Sequence, residues 1–163
     1  MAICPHAAIR AKVVPNEILK DAPASLKSVP AKGRPFNKET ESYVLQVSPE
    51  DCTGCDLCVA VCPAESKEIE NFKAINMRRK LEVDTVEDKN WDYFIELPDY
   101  DRTALQITNV KGSQFLEPLF EFSGACPGCG ETPYVKLASQ LFGDRMLIAN
   151  ATGCSSIYGG NLP

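Results

Sequence analysis

Apolar residues follow a helical spacing in one part of the chain and form short runs elsewhere. The helical set, spaced for one face, is Tyr134, Leu137, Ala138, Leu141 and Phe142. Thr132 is suited to the N-cap of this helix, Pro133 to its first position and Gly143 to its end. The pattern therefore predicts a helix over residues 132–142.

Short runs of β-forming or apolar residues predict strands. Residues 43–47 form such a run before a cysteine-rich loop, and residues 74–77 are expected to pair with it. Residues 7–14 predict a short helix or strand, and residues 146–149 a buried strand. A turn of small residues at 152–156 follows that last run. Helix, buried strand and polar loop in this order indicate an α/β arrangement that presents ligand sites at the strand end.

Two stretches predict irregular or connecting structure. Residues 15–40 contain four prolines and a glycine among polar residues, which predicts a loop that docks onto another surface. Residues 82–102 carry eight acidic and two basic side chains. Apolar residues within that stretch, Trp91 among them, predict a partly helical connector that packs onto a larger body and stops at Pro98. We expect Trp91 to be an anchor rather than a cofactor-stacking residue.

The composition argues against several classes of function. The chain has 163 residues and a net charge of −5, so it has no basic footprint for nucleic acid. It has no run of 18 apolar residues and no signal peptide, so neither membrane insertion nor export is expected. Its eight cysteines are clustered, which favours thiolate ligands in a reducing, cytoplasmic setting over disulfides. The basic run 78–80 is either a docking patch or, more commonly, a solvated surface.

One cysteine motif dominates the sequence. Its spacing is C-x2-C-x2-C-x3-C-P, formed by Cys52, Cys55, Cys58, Cys62 and Pro63. This is the bacterial ferredoxin run for a 4Fe–4S cluster, in which the fourth cysteine ligates a different cluster in two-cluster ferredoxins. A structural zinc site would use cysteine pairs with a long spacer instead.

Cys4, followed by Pro5, resembles the end of a second copy of this motif. If the ferredoxin crossover applies, Cys4 completes the cluster held by the first three cysteines of the run. Cys62 would then serve a cluster whose other ligands lie upstream of Met1. Two alternatives are that Cys4 is a small buried apolar residue and that the four cysteines of the run ligate one cluster locally.

A second group of cysteines comprises Cys126, Cys129 and Cys154. Its C-x2-C pair is shared by zinc sites, redox dithiols and iron–sulfur sites, and three thiolates would need a fourth ligand. A free-standing iron–sulfur electron carrier and a zinc-stabilised interaction module are therefore alternative functions.

The segment that runs from residues 111–115 through residues 143–160 resembles the start of the thiamine-diphosphate domain of the pyruvate:ferredoxin (flavodoxin) oxidoreductase family, and it includes Thr152-Gly153-Cys154-Ser155. The whole chain resembles a small part of that family's much longer chain in the same order. The resemblance implies an α+β fold. A truncated ferredoxin-like iron–sulfur part (residues 1–77) precedes an irregular acidic connector (78–108) and the beginning of an α/β thiamine-diphosphate-binding domain (109–163).

The resemblance also implies a function, the oxidative decarboxylation of pyruvate, or a related 2-oxo acid, with coenzyme A to acetyl-CoA. The implied cofactors are 4Fe–4S clusters, thiamine diphosphate and Mg²⁺. Implied partners are ferredoxin or flavodoxin as electron acceptor, the rest of the polypeptide and a second copy in a homodimer.

The resemblance further assigns residues. Cys126, Cys129 and Cys154 would be three ligands of the cluster nearest the thiamine. The residues bordering thiamine diphosphate would be Glu131, Thr152, Cys154 and Ser155. From the residues alone, Glu131 is a carboxylate favoured by a helix N-terminus. The magnesium loop, the fourth ligand of this cluster and the pyruvate-binding domain are expected outside the chain, so we expect the chain alone to be inactive.

Overall fold

The computed structural model describes residues 1–82 and 84–158, and in them three antiparallel strands form one sheet. The strands are β1 (Ile9–Pro15), β2 (Ser28–Pro30) and β3 (Glu41–Val47), in the order β1-β3-β2. Ile9 lies opposite Val47, and Val29 opposite Tyr43. The α-helices are α1 (Leu57–Ala60), α2 (Asp84–Glu96), α3 (Val110–Ser113), α4 (Thr132–Phe142) and α5 (Cys154–Tyr158). Short 3-10 helices cover Ile18–Asp21 and Lys80–Glu82.

The sheet confirms some of the predicted strands. The strand predicted at 43–47 is present and begins at Glu41, and residues 7–14 form a strand from Ile9 onward. The strand predicted at 74–77 is wrong, because β1 and β2 already occupy both edges of β3. That part of the chain instead makes a single bridge between Lys73 and Glu65. The predicted loop at 15–40 is mostly irregular but contributes the short edge strand β2.

The acidic connector forms α2, which packs against β3, as the sequence predicts for a partly helical connector. Trp91 and Phe94 are buried on its inner side, and their rings stack with centroids 5.5 Å apart. They form a core cluster with Val14, Val44 and Leu97. The anchor role of Trp91 is confirmed, and the helix ends two residues before Pro98 because the residue preceding a proline disfavours helical geometry.

A second core cluster draws on distant parts of the sequence. It comprises Ala11, Val13, Ala31, Leu105, Phe115 and Leu116. Its members come from all three stretches that the sequence suggests. The limits 1–77, 78–108 and 109–163 remain a prediction about sequence, and in the described residues these stretches share apolar packing. The last residues of the third stretch, including Gly159 and Gly160, lie outside the described residues.

Helix α4 differs from its prediction in the face that it buries. The helix begins at Thr132, so Glu131 takes the cap position, while Pro133 lies in the first turn and Gly143 follows the last residue as predicted. The buried residues of this helix are Thr132, Lys136, Ser139 and Gln140. Two members of the predicted apolar face, Tyr134 and Phe142, are instead exposed. The packing therefore overrides the amphipathic pattern here.

The strand predicted at 146–149 is wrong for the described structure, which has no regular structure there. Leu147 is 99% exposed and Ile148 67% exposed. A parallel strand forms only beside neighbouring strands, and no strand in the described part of the chain pairs with this run. The turn predicted at 152–156 is replaced from Cys154 onward by α5.

Long-range hydrogen bonds join the first residues of the chain to residues beyond 120. The amide of Phe122 donates to the carbonyl of His6 at 2.9 Å. The ring Nδ1 of His6 lies 2.9 Å from the Ser123 carbonyl, which accepts, so Nδ1 carries the proton. Lys136 Nζ donates to the Met1 carbonyl at 3.0 Å. Among the helices in the part of the chain that the structure describes, none is long and apolar enough to cross a membrane.

Candidate iron–sulfur site

Four thiols surround one cavity next to the sheet. Cys4, Cys52, Cys55 and Cys58 all contribute to the lining of a cavity of about 570 Å³. Cys4 precedes β1, while the other three lie on the loop after β3 and on α1. Because β1 and β3 pair directly, the start of β1 and the end of β3 lie at the same end of the sheet. The fourth cysteine of the run, Cys62, is not among the residues that line this cavity.

The cysteine loop turns tightly because of its backbone. Gly54 and Asp56 both adopt left-handed geometry, with φ of +68° and +62°. The carbonyl of Asp56 accepts from the amides of Val59 and Ala60 and so begins α1. Upstream, the Ser48 amide donates to the Ala8 carbonyl at 2.9 Å, which attaches the loop to the sheet. The hydrogen bond of Ser48 fixes the start of the loop, and the turns within the loop place its three thiols around the cavity.

The donor set fits an iron–sulfur cluster better than a single metal ion. All eight cysteines are free thiols. Within residues 1–82 and 84–158, no group of three or more His, Cys, Asp or Glu side chains could hold one metal ion. A tetrahedral zinc, with Zn–S bonds of about 2.3 Å, would draw its thiolates close together. A cubane takes one thiolate on each iron and so spreads its ligands around a larger body.

The pKa of Cys62 is shifted in the opposite direction from that of Cys58, a thiol of the cavity. Burial raises the pKa of Cys58, and the neighbouring thiols of Cys52, Cys4 and Cys55 raise it further. A cationic metal core in the cavity would favour the thiolate form of Cys58. By contrast, backbone amides, Ala64 foremost, lower the pKa of Cys62.

The second cysteine group lies against the first. The Cys129 amide donates to the Cys126 carbonyl at 3.0 Å, which closes a turn with Gly128 at a φ of +75°. A β-carbon at position 128 would lie 3.8 Å from the Cβ of Cys55 and 3.8 Å from Leu57. The turn of residues 126–129 therefore packs directly on the loop that lines the cavity.

The other predicted site residues surround the start of α4 and α5. Backbone amides of Thr132 and Glu131 lower the pKa of Cys129. Burial, and then the Glu131 carboxylate, raise the pKa of Tyr158 to about 12, and Cys129 and Cys154 act on the same phenol. Glu131, Cys129 and Cys154 therefore all lie within electrostatic range of the Tyr158 hydroxyl.

Thr152 and Ser155 have fewer contacts than the rest of this group. Thr152 is exposed and Ser155 half-buried, and the Ser155 carbonyl accepts from Asn150 at 3.4 Å. Their predicted role beside a cofactor remains a prediction.

Sequence reasoning missed two residues near these sites. Tyr158 lies just beyond the turn predicted at 152–156, and its place at the end of α5 is evident only from the structure. Lys136 is the one charged residue within the predicted helix 132–142, and this isolated charge is the signal that could have identified it.

Comparison with known proteins identifies the relatives of the chain. Residues 1–66 match a family described as a 4Fe-4S dicluster domain. The chain is 60% identical over 163 residues to the probable pyruvate-flavodoxin oxidoreductase of Escherichia coli (strain K12), an alignment that spans 100% of this chain and 14% of that protein. This chain matches a fragment of pyruvate-flavodoxin oxidoreductases. The pyruvate-flavodoxin oxidoreductase of Nostoc sp. is 59% identical over 161 residues, or 99% of this chain and 13% of that protein. The pyruvate:ferredoxin oxidoreductase of Moorella thermoacetica is 50% identical over the same shares.

These matches confirm the predicted resemblance and the ferredoxin-like iron–sulfur part. The chain spans only about one seventh of the length of these pyruvate-flavodoxin oxidoreductases. The similarity continues well past the dicluster domain, which ends at residue 66. It therefore includes Cys126, Cys129 and Cys154, which a similarity to a ferredoxin alone would leave out.

Proposed function

We propose that this chain is the part of a pyruvate:flavodoxin or pyruvate:ferredoxin oxidoreductase that carries electrons from thiamine-bound substrate through 4Fe–4S clusters. The observation that carries the proposal is the single cavity lined by Cys4, Cys52, Cys55 and Cys58. It occurs in a chain whose full length is similar to such oxidoreductases. The free thiols suit a reducing compartment such as the cytoplasm.

We assign the four thiols of the cavity to one cluster and Cys62 to another. Cys62 does not line the cavity, and backbone amides lower its pKa whereas burial raises that of Cys58, which supports this crossover. When bound, a 4Fe–4S cluster supplies low-potential one-electron chemistry. The residues of the chain orient the thiolates, shield them partly from water and hold the two cysteine loops in contact.

The second cysteine group is proposed to hold the cluster nearest the thiamine. Cys126, Cys129 and Cys154 would be three of its ligands, with the fourth supplied by the rest of the polypeptide. The packing of Gly128 on Cys55 supports a direct path between the two sites. Since electron transfer needs close approach, contact between the loops suits a relay toward ferredoxin or flavodoxin.

We further propose that residues 109–163 begin the thiamine-diphosphate domain. Glu131, Thr152, Cys154 and Ser155 would border thiamine diphosphate and its Mg²⁺, and the closeness of Glu131 to Cys154 around Tyr158 supports part of this set. Pyruvate and coenzyme A would be substrates of the assembled homodimer, as the names of the relatives suggest for pyruvate.

Cysteine variants test the ligand assignment. After anaerobic reconstitution we expect about four iron and four sulfide per chain, because only one ligand set is complete. Cys58→Ala should abolish the cluster, whereas the matched variant Cys62→Ala should keep it. Cys4→Ala should make it labile or convert it to a three-iron form. Iron analysis and electron paramagnetic resonance of the dithionite-reduced protein measure these outcomes.

The opposite pattern would overturn the assignment. If Cys62→Ala destroys the signal while Cys4→Ala leaves it intact, the four cysteines of the run ligate one cluster locally. If the purified chain takes up zinc and no iron under the same conditions, the site is a structural zinc module and the electron-transfer function is wrong.

A further inference from the structure

Lys136 is a buried cation without an acidic partner. It lies on α4 and is only 3% exposed. Its Nζ donates to the Met1 carbonyl at 3.0 Å, and none of the ion pairs among the described residues includes it. Burial lowers the pKa of Lys136, because desolvation disfavours an unpaired charge. A lysine in this setting is costly unless a nearby negative charge compensates it.

The electrostatic group that raises the pKa of this lysine is a proposed cluster ligand, Cys4. The Met1 carbonyl that accepts from Lys136 also accepts from the Cys4 amide at 3.0 Å. The ammonium therefore lies within two hydrogen-bond lengths of the Cys4 amide nitrogen. A thiolate at Cys4 raises the pKa of Lys136 and opposes the effect of burial. Arg10, like burial, lowers that pKa.

We propose that Lys136 is the buried counter-charge of the cluster site at Cys4 and that its ammonium raises the reduction potential of that cluster. The inference rests on the proposed function, because it takes Cys4 as a cluster ligand. When the cluster accepts one electron from a reductant such as dithionite, a lysine that stays protonated would supply a fixed positive charge. A fixed positive charge beside the ligand stabilises the added negative charge, and net charge near a cluster is one of the factors that sets its potential. The low local dielectric of a buried site strengthens this effect.

The proposal links two segments that the sequence places far apart. Lys136 belongs to the proposed start of the thiamine domain, whereas Cys4 belongs to the iron–sulfur part. Helix α4 would therefore adjust the potential of a cluster to which it gives no ligand. In that role Lys136 is a positioning and tuning residue, since it does not touch the reacting atoms of the substrate.

Three variants at this position separate charge from packing. Lys136→Met removes the charge at similar length, Lys136→Gln removes it but keeps a donor for the Met1 carbonyl, and Lys136→Arg keeps the charge. Lys12→Met is the matched control, because Lys12 is also largely buried but forms an ion pair with Asp99 at 3.3 Å. The measurement is a redox titration of the reconstituted 163-residue chain, followed by electron paramagnetic resonance.

At a fixed applied potential, we expect both neutral variants to lower the ratio of reduced to oxidised cluster about tenfold. This corresponds to a reduction potential lower by about 59 mV for a one-electron couple. Lys136→Arg and Lys12→Met should stay close to the parent chain. A parent-like potential in either neutral variant would overturn the proposal. Loss of the cluster in both neutral variants with retention in Lys136→Arg would support it. Loss in all three would refute it in favour of a packing role.

The failure of the proposed function would look different. If the parent chain binds no cluster, or if Cys4→Ala leaves the cluster unchanged, the ligand assignment is wrong. If the parent binds the cluster through Cys4 but its potential ignores the charge at position 136, only the role of Lys136 is wrong.

Discussion

Replacement of Phe94 by alanine tests the packing of the acidic helix on the sheet. Phe94 is 0% exposed and lies in the cluster with Val14, Val44 and Leu97, with its ring stacked on Trp91. Truncation of a buried phenylalanine typically costs about 3–5 kcal/mol, because apolar contact is lost and a cavity remains. Domains of ordinary stability have only about 5–15 kcal/mol in total. We therefore expect Phe94→Ala to remove a large fraction of the free energy of unfolding.

Urea unfolding measures this loss. With a slope of about 2 kcal/mol per molar urea for a small protein, a loss of about 4 kcal/mol lowers the midpoint by about 2 M. Far-ultraviolet circular dichroism is the main readout, since the fluorescence of the adjacent Trp91 changes with the substitution itself. Tyr134→Ala is the control, because Tyr134 is 76% exposed and should change stability by no more than about 0.5 kcal/mol. A loss below about 1 kcal/mol for Phe94→Ala would refute the packing described for α2.

Two other substitutions probe local geometry. Gly112→Ala should lower the melting temperature sharply, since its β-carbon would lie 2.0 Å from the Gln106 carbonyl oxygen, whereas Gly124→Ala has open space and should be neutral. Equal melting temperatures for the two variants would contradict the close approach at position 112. Tyr158 should form phenolate near pH 12, so its contribution to stability is complete below the ordinary tyrosine pKa of about 10 and is lost as the pH rises through about 12. In a titration followed by ultraviolet absorbance, Glu131→Gln should lower the pH at which half of Tyr158 is ionised, although burial will keep that pH above the ordinary value. An unchanged midpoint would mean that the carboxylate does not act on the phenol.

The features predicted best are those encoded over a few residues. The cysteine spacing identifies the iron–sulfur loop because three thiols at steps of three residues constrain one short turn. Strand β3 and the ends of α4 follow from equally local signals, namely β-forming residues, an early proline and a final glycine. The match of residues 1–66 to the 4Fe-4S dicluster family supports the prediction of the iron–sulfur loop, and that match depends on the sequence alone.

The predictions that failed depend on distant neighbours. Residues 74–77 have strand-like composition, but pairing is decided by the edges of β3, and β1 and β2 fill both. Residues 146–149 have an apolar pattern that is stable as a strand only when other strands pair with it. Similarly, the hydrogen bond of Lys136 to the Met1 carbonyl depends on a residue 135 positions away in the sequence rather than on its own helix. Sequence patterns report what a segment can form, whereas its partners select what it does form.

The hydrogen bonds between the first residues and residues 122–136 have a consequence for synthesis. A ribosome releases His6 and Met1 long before Phe122 and Lys136, so these bonds cannot close until residues 122–136 have emerged. Contacts of such large sequence separation also form slowly. Until then the segment that carries Cys4 lacks its contacts with residues 122–136. We expect durable insertion of iron and sulfide to follow the emergence of α4, which makes maturation of this site a late event in the life of the nascent polypeptide.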